Sequence, residues 1–371
     1  MTTERPLRIG ILGATGVVGR RICETIDRLI TASAAPIALT LFGRDQARLV
    51  RLASLLSNAS CEVVVDVRDA QALALALTPL TLLINAAGPF ADTGVAVARA
   101  AIAAGVHYCD VASEQQHVRS IVERLDAPAR RAHVAVVPSA GLTSALTDWA
   151  CDLLGDYRTD ERTPIEQIST TYVYDNWQLS AGSQRALFGS LGMAAARWQR
   201  DRWLPARFGE RSMLCNVGLE FGGPRTAVWH PSPDIILLSR RLQAQRIDAF
   251  VSPNRSNNVA TLLRGAGLAM SLLPMRSMAS VLGPFVPDDS DFSHGRFAVA
   301  TDVLQGGTNH RMTLVGQDLY QTTATIAAHV AVQMCLHRPS PGVLSPAQVW
   351  DARAALATLT PVCGLQSVTQ P

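Results

Sequence analysis

The chain has 371 residues, 48% of them hydrophobic, and a formal net charge of +3 at pH 7. At roughly 150 residues per domain this length predicts two domains, and so small a net charge argues against a nucleic-acid partner. All 33 basic residues are arginine. The lack of lysine excludes Schiff-base catalysis, a phosphate-loop lysine and a Tyr-x-x-x-Lys catalytic pair.

Cysteine usage and hydropathy indicate the compartment. The seven cysteines are scattered and include no Cys-x-x-Cys pair, which argues against a disulfide framework or a zinc site and for a reducing environment. No segment reaches the ~20 uninterrupted apolar residues of a membrane span, and no signal-peptide pattern opens the sequence. We therefore expect a cytoplasmic protein without a membrane span or a metal site.

The first predicted element is a buried strand at 7–12, followed by a glycine-rich turn at 13–19 (GATGVVG) and a helix over 20–30. Gly13 permits the tight turn, Gly16 lets backbone N–H groups approach a pyrophosphate, and Gly19 lets the helix pack against the strand. The alternative is a glycine-rich turn in an unrelated α/β protein. We predict a dinucleotide site with loop contacts from Gly13, Ala14, Thr15, Gly16, Val17 and Val18.

The second strand, predicted at 37–42, ends in Gly43, Arg44 and Asp45. An NAD-preferring site normally carries an acidic residue at this strand end, where it accepts a hydrogen bond from the ribose 2′-hydroxyl. Gly43 removes that carboxylate, and Arg44 offers a guanidinium suited to a 2′-phosphate. This pattern favours NADPH, unless Arg44 is an ordinary surface residue. Asp45 is expected to cap the next helix, predicted to end at Leu56.

Strands and helices then alternate in the way that predicts a doubly wound parallel sheet, an α/β fold. Strands are expected at 62–65, 81–86, 107–111 and 133–138, and helices at 69–77, 92–104 and 114–132. Small residues and a Gly-Pro step after the fourth strand leave room for a cofactor. Further cofactor contacts are predicted at Asp66, Val67, Ala86, Ala87, Gly88, Pro89, Phe90 and Gly141.

Several motifs in this order resemble the saccharopine dehydrogenase-like oxidoreductases, a family of NADP-binding reductases. They are GATGVVG at 13–19, GRD at 43–45, NAAGPF at 85–90, HYCDVASE at 107–114, VVPSAGLTSALTD at 136–148, SAGS at 180–183, VGQDLYQTTA at 315–324 and GVLSPA at 342–347. The resemblance implies an NADP-binding Rossmann domain at 1–148. It further implies an inserted α+β substrate or dimerisation domain at 149–319, and C-terminal helices at 320–371 that pack back on the first domain.

The sequence departs from the family pattern where the substrate is expected to bind. Thr143 and Leu146 replace an acid and a proline of the usual motif, and Ala112-Ser113-Glu114 replaces Thr-Gly-Glu. The family's substrate therefore does not carry over to this chain.

The second domain shows the patterns of antiparallel strands at 168–174 and 235–240, and of a hairpin at 297–304 and 312–315 with its turn at 306–309. Helices are expected near 182–200 and 258–282. Trp177, Trp198, Trp203 and Trp229 cluster here, which indicates either an aromatic-lined pocket or ordinary core packing.

Hydride transfer often needs one proton donor beside the cofactor. Residues at the expected strand ends that could serve are His107, Tyr108, Asp110, Glu114 and Tyr174. Each has a structural alternative: Asp110 and Glu114 as helix caps, His107 as a core hydrogen-bonding group, and Tyr174 as a strand residue.

The scarcity of recognisable acid groups suits an imine acceptor, and the resemblance implies the same chemistry, because saccharopine formation and cleavage pass through an imine. The leading hypothesis is an NADPH-dependent reductase of a C=N bond, such as a cyclic or thiazolinyl imine in siderophore assembly. Its substrate would be a small molecule or bound to a carrier protein. A trans-acting enoyl reductase and a non-catalytic NADP(H)-sensing regulator are the alternatives. The apolar helix at 320–336 is open to burial against its own first domain or against a second copy in a homodimer.

Overall fold

The computed structural model describes residues 7–33, 36–155, 163–176, 179–180, 182–184, 186, 193–253 and 293–370. They form two compact units. Unit 1 takes the described residues up to Ala112, then His117–Gly141 and Thr323–Trp350; unit 2 takes Ser113–Gln116, Leu142–Thr322 and the chain from Asp351. The sequence predicted boundaries after 148 and 319 and placed the whole C-terminal part with the first domain, whereas the chain from Asp351 lies in unit 2.

Unit 1 is built on a parallel sheet of seven strands in the order β15-β6-β5-β4-β1-β2-β3. All its strand pairs are parallel. The run from β3 to β6 is the doubly wound order of the Rossmann fold, which confirms the predicted fold class. Numbered in chain order through both units, its strands are β1 Leu7–Leu12, β2 Ile37–Gly43, β3 Ala59–Val64, β4 Leu82–Asn85, β5 His107–Asp110, β6 Ala135–Val137 and β15 Gly342–Val343.

Helices separate these strands as the hydrophobic pattern predicts. They are α1 Val17–Ser33, α2 Gln46–Ala53, α3 Ala70–Leu77, α4 Phe90–Ala103 and α5 Gln115–Arg131. Asp45 caps α2 by accepting a hydrogen bond from the Arg48 backbone N–H at 3.0 Å, as predicted, but the helix ends at Ala53 and not at Leu56. All four residues of β4 are buried, because helices cover both faces of a doubly wound sheet.

Unit 2 contains a mixed sheet of nine described strands. Its main path is β10-β11-β12-β7-β13-β14-β16, and β8 pairs with both β12 and β9. The strands are β7 Ile165–Asp175, β8 Ala195–Gln199, β9 Arg202–Ala206, β10 Ser212–Cys215, β11 Arg225–Trp229, β12 Arg246–Pro253, β13 Arg296–Gln305, β14 Thr308–Gln317 and β16 Gln366–Gln370. Its longer helices within the described residues are α6 Leu142–Gly155, α7 Pro233–Arg241 and α9 Ala352–Cys363. Helix α8, Leu319–His337, begins in unit 2 and continues in unit 1.

Two predictions about unit 2 are wrong. Residues 235–240, predicted as a strand, lie in helix α7, where Pro233 occupies the first turn and Ile235–Leu238 are all buried. An apolar run that is buried all round shows no helical periodicity, so its pattern is ambiguous. The predicted helix at 182–200 includes helical residues at 182–184, but 195–199 is strand β8. The helix predicted at 258–282 lies outside the described residues.

Residues 7–33, 36–155, 163–176, 193–253 and 293–370, with the short described pieces between them, show neither a membrane span nor a metal site. There, no helix is long and apolar enough to cross a membrane. Nor does any group of three or more His, Cys, Asp and Glu side chains in those ranges have the arrangement needed to hold a metal ion.

Candidate functional site

The glycine-rich loop of unit 1 links β1 to α1 through contacts that admit no side chain. Gly13 has a φ of +80°, and its N–H donates to the carbonyl oxygen of Phe42 at 3.0 Å. A β-carbon at Gly13 would lie 2.9 Å from the backbone nitrogen of Ala87, and one at Gly19 would lie 2.1 Å from the carbonyl oxygen of Gly13. Both glycines are therefore required for the loop to lie close to the β4 end and to α1.

Gly16 differs from these two glycines because it is exposed. A β-carbon there would meet only the Gly13 carbonyl oxygen, at 3.3 Å. Helix α1 begins at the next residue, Val17, so its first N–H groups have no partner within the helix and can bind an anion. Ala14 is buried, and Thr15, Val17 and Val18 are half-buried. The loop thus fits a pyrophosphate that approaches Gly16 and the start of α1.

Two arginines lie at the adenosine side predicted for this pocket. Gly43 is buried, and Arg44, the residue after β2, is exposed. Arg48 in α2 donates from Nη2 to the carbonyl oxygen of Thr15 at 3.1 Å. Positive charge therefore lies beside the loop, as a 2′-phosphate requires.

The other predicted cofactor contacts follow β3, β4 and β6. Asp66 is exposed and its carboxylate accepts from the Arg68 backbone N–H at 3.0 Å, so it closes its own turn. Residues 86 and 87 are half-buried, Gly88 and Pro89 are exposed, Phe90 is buried, and Val67 is half-buried. Gly141 is buried, and a β-carbon there would lie 3.1 Å from Cγ2 of Thr323. Its small size therefore serves packing against the helix that contains Thr323.

A buried carboxylate, Asp110, joins the carboxyl ends of β5 and β6. Its Oδ2 lies 2.8 Å from Nε2 of His117 in α5, and its Oδ1 accepts from the backbone N–H groups of Ala112 at 3.0 Å and Ser139 at 2.8 Å. Burial raises the pKa of Asp110, but His117 and the two N–H groups outweigh burial and the pKa is lowered. Asp110 is therefore an ionised acceptor that orders two strand-end loops.

The same network includes Tyr108 and Asn85, both fully buried. The Tyr108 hydroxyl donates to Oδ2 of Asp110 at 3.0 Å and accepts from Nδ2 of Asn85 at 3.2 Å. Burial, followed by the charge of Asp110, raises the pKa of Tyr108 well above its ordinary value. Oδ1 of Asn85 accepts from the backbone N–H of Ala87 at 3.0 Å, so the network also fixes the loop after β4.

His107 does not join the other candidates. It begins β5, and its Nδ1 accepts from the backbone N–H of Ala135 at 3.0 Å. Asp110 ends the strand, and the three residue steps between them correspond to ~10 Å. Because ligands bind beyond the carboxyl ends of parallel strands, His107 lies at the wrong end of β5 for the predicted catalytic role. Its hydrogen bond to Ala135 instead agrees with the alternative role of a core hydrogen-bonding group.

The two remaining candidates lie in unit 2. Glu114 is buried, and its Oε2 accepts from the backbone N–H of Ser113 at 2.9 Å. Tyr174 in β7 is buried too, and burial, with a smaller contribution from the charge of Asp234, raises its pKa. The structure therefore joins Tyr108 and Asp110 by a hydrogen bond, places His107 at the opposite end of β5, and assigns Glu114 and Tyr174 to unit 2.

Sequence reasoning missed a buried polar cluster in unit 2 centred on Tyr172. The Tyr172 hydroxyl lies 2.7 Å from Oδ2 of Asp234 and 2.7 Å from Oγ1 of Thr147. Burial raises the pKa of Asp234 to about 6, although hydrogen bonds from neighbours including Tyr172 oppose that rise. The ring of His230 lies 5.7 Å from that of Tyr172, and burial lowers the pKa of His230 to about 4. The signal was hidden because 235–240 was interpreted as a strand.

Three tryptophans of the predicted cluster are described, and each contacts other residues of unit 2. Trp198 and Trp203 face each other across the β8–β9 hairpin with ring centroids 5.0 Å apart. Trp229 is fully buried and its Nε1 donates to Oδ1 of Asp248 at 3.1 Å. Trp229 is therefore a core residue, whereas Trp198 and Trp203 are half-buried. Trp177 lies outside the described residues.

Comparison with known proteins agrees with this geometry. Residues 9–137 match the family model described as the saccharopine dehydrogenase NADP binding domain, and no curated protein matches the sequence. Apo saccharopine dehydrogenase (L-Glu forming) from Saccharomyces cerevisiae is similar over 98% of this chain and 100% of its own, with 13% identity and a TM-score of 0.62. An amine dehydrogenase from Mycobacterium smegmatis is similar over 95% of this chain and 98% of its own, with 12% identity and a TM-score of 0.44.

A Rossmann sheet with an NADP-binding domain, accompanied by a second unit with a mixed sheet, defines a nicotinamide-dependent oxidoreductase. Residues 9–137 match the NADP-binding domain of the saccharopine dehydrogenase family. The match to the yeast structure extends the same fold over nearly the whole chain. The family resemblance of the sequence motifs is thereby confirmed.

Proposed function

We propose that this chain is an NADPH-dependent reductase that transfers hydride to a carbon–nitrogen double bond. NADPH supplies the hydride when it is bound. Residues 13–18 and the first turn of α1 would hold its pyrophosphate, and Arg44 would hold its 2′-phosphate. NADPH is preferred over NADH in this proposal because β2 ends in Gly43, without a carboxylate, and is followed by an exposed guanidinium.

The observation that carries the proposal is the engagement of the Tyr108 hydroxyl, which donates its hydrogen to Asp110 at the carboxyl edge of the parallel sheet. The Tyr108 hydroxyl is committed to Asp110, Asp110 is held ionised, and its second oxygen accepts two backbone N–H groups. Neither Tyr108 nor Asp110 is therefore suited to donate a proton. A protonated imine needs no such donor, because it already carries its proton and becomes an amine when it accepts hydride. Hydride addition to a ketone or an enoyl thioester instead gives an alkoxide or an enolate, which must then take a proton from a side chain or from water.

The family supports the same chemistry. The solved yeast relative is named as a saccharopine dehydrogenase that forms L-Glu, and the family's reaction passes through an imine. Within this class, the narrower candidates are cyclic or thiazolinyl imines of siderophores or other secondary metabolites, either free or bound to a carrier protein. The residues of this chain that differ from the family pattern, Thr143 and Leu146, follow β6 and agree with a substrate other than saccharopine.

The experiment is a substrate panel assayed with NADPH by absorbance at 340 nm. One arm contains a cyclic imine, one an aryl-thiazoline thioester, and one a 2-oxo acid mixed with an amine so that the imine forms in solution. We expect NADPH consumption in at least one imine arm and an amine as the product. Consumption only with an α,β-unsaturated thioester would identify an enoyl reductase and overturn the proposal.

A non-catalytic regulator would give a different result. Such a protein would bind NADP+ and NADPH, which calorimetry would detect, yet support no hydride transfer to any acceptor in the panel. Tight cofactor binding without NADPH consumption on any substrate of the panel would therefore favour the regulator over the reductase.

A further inference from the structure

Arg48 connects two parts of unit 1 that are distant in sequence. It lies in the first turn of α2, and its Nη2 donates to the carbonyl oxygen of Thr15 in the glycine-rich loop at 3.1 Å. The side chain is otherwise exposed. Among the described residues no other side-chain hydrogen bond or ion pair of Arg48 is found, and a guanidinium has five N–H donors. Most of its donors therefore face solvent beside the loop.

The start of α2 fixes where Arg48 stands. Asp45 caps the helix by accepting from the Arg48 backbone N–H at 3.0 Å, so Arg48 is held relative to Gly43 and Arg44 at the end of β2. Asp45 is engaged in the cap, and the exposed guanidinium of Arg44 lies four positions before that of Arg48 in the sequence. Two cations thus flank the strand end at which the ribose 2′-position of a Rossmann-bound dinucleotide lies.

We propose that Arg48 is the main specificity-determining residue of a two-arginine subsite for a 2′-phosphate, with Arg44 as its second member. The proposal rests on the NADPH preference proposed above and goes beyond it by ranking the two residues. The Thr15 carbonyl already restrains the Arg48 guanidinium. Binding therefore orders Arg48 less than Arg44, for which the described part of the chain shows no such anchor. Arg48 therefore contributes more to discrimination between a phosphate and a hydroxyl at the 2′-position.

Calorimetric titration of the whole protein tests this ranking. The probes are adenosine 2′,5′-bisphosphate against 5′-AMP, and NADP+ against NAD+, so that binding is measured without turnover. Arg48→Gln is expected to weaken the two 2′-phosphorylated ligands by roughly 10- to 100-fold, the range for loss of a charge-assisted contact. Arg44→Gln should weaken them by a smaller factor, and 5′-AMP and NAD+ should change little with either variant.

Two further variants separate charge from structure. Arg48→Lys keeps the cation and should recover part of the affinity lost in Arg48→Gln. Arg51→Gln alters an exposed arginine later in the same helix and is the matched control. It should leave the affinities for both ligand pairs unchanged.

The outcomes that would overturn the proposal are distinct from those for the cofactor preference. Equal losses for NADP+ and NAD+ in Arg48→Gln would mean that Arg48 only shapes the loop, and no loss for either would make it a surface residue. Both results leave the NADPH preference standing if the wild-type protein still favours NADP+. A wild-type protein that binds NAD+ as tightly as NADP+ would instead overturn the NADPH preference and this subsite with it.

Discussion

A β-carbon on Gly19 would lie 2.1 Å from the carbonyl oxygen of Gly13, so the first strand and first helix of unit 1 meet at a contact that only glycine permits. Gly16, between them, meets the same oxygen at 3.3 Å and is exposed. The two positions therefore separate the folding role of the loop from its binding role.

Gly19→Ala is expected to destabilise the protein, because the new methyl group must displace backbone atoms. We expect a loss of about 1–3 kcal/mol in the free energy of unfolding. Gly16→Ala should fold almost normally but lose NADP+ affinity, since its methyl group occupies the exposed side of the loop. Urea unfolding and calorimetric titration of both variants make the comparison. A Gly16→Ala protein with full affinity would show that the pyrophosphate binds elsewhere.

Asp110 and His117 are expected to be among the more costly residues to alter in unit 1. Asp110→Asn removes a buried charge that accepts from His117 and from two backbone N–H groups, which should cost about 2–4 kcal/mol at pH 7. Glu123→Gln is the control, because Glu123 makes an exposed ion pair with Arg119 and should change stability by less than about 1 kcal/mol. Equal effects of the two substitutions in urea unfolding would refute a structural role for Asp110.

Sequence patterns predicted unit 1 well for a physical reason. Its strands are short apolar runs that end in glycine or small polar residues, such as Leu7–Leu12 before Gly13, and burial on both faces leaves few other interpretations. The spacing of the glycines alone predicted that Gly19 lets the helix pack against the strand, and the structure shows its close approach to Gly13.

The same patterns failed where tertiary contacts decide. Ile235–Leu238 is buried on every side, so its helix leaves no periodic trace. The sequence placed His107 and Asp110 on one strand but did not show that the strand is only four residues long and that the two lie at opposite ends. The cluster of Tyr172, Asp234 and His230 joins residues that are far apart in sequence, so no local sequence pattern predicts it.

Asp234 predicts an unusual pH dependence of stability. Its pKa is raised by burial from an ordinary 3.8 to about 6 in the folded protein. Below pH 4 the group is neutral in both the folded and unfolded states. As the pH rises from about 4 to 6, Asp234 ionises in the unfolded state before it ionises in the folded state. The free energy of unfolding therefore falls by an amount on the order of 3 kcal/mol, and it stays lower above pH 6.

Asp234→Asn should therefore be nearly as stable as wild type at pH 4.5 and more stable at pH 8, by an amount of that order. The pKa of His230 is lowered to about 4, so acidification destabilises the folded protein through His230. This effect is present in both proteins and largely cancels in their difference. The measurement is the difference in Tm between variant and wild type at the two pH values. A variant that is less stable than wild type at pH 8 would contradict the raised pKa.

His107 is expected to have no part in catalysis. His107→Gln keeps an acceptor for the Ala135 N–H and changes only the amino end of β5. Its NADP+ affinity and its rate of NADPH oxidation should stay within about twofold of wild type, since surrounding contacts are preserved. A large loss of rate with unchanged NADP+ affinity would return His107 to the list of proton donors.

Transfer of deuterium from NADPH labelled at C4 to an imine substrate tests the central claim most directly. NADPH labelled separately on each face of the nicotinamide is incubated with the protein and the imine that is active in the substrate panel, and the amine product is analysed by mass spectrometry. The account predicts that one label, and not the other, appears on the carbon bonded to nitrogen, and that labelled NADH supplies it far more slowly. An unlabelled amine would contradict this account. So would the absence of any amine product from every imine tested, although NADPH and NADH bind.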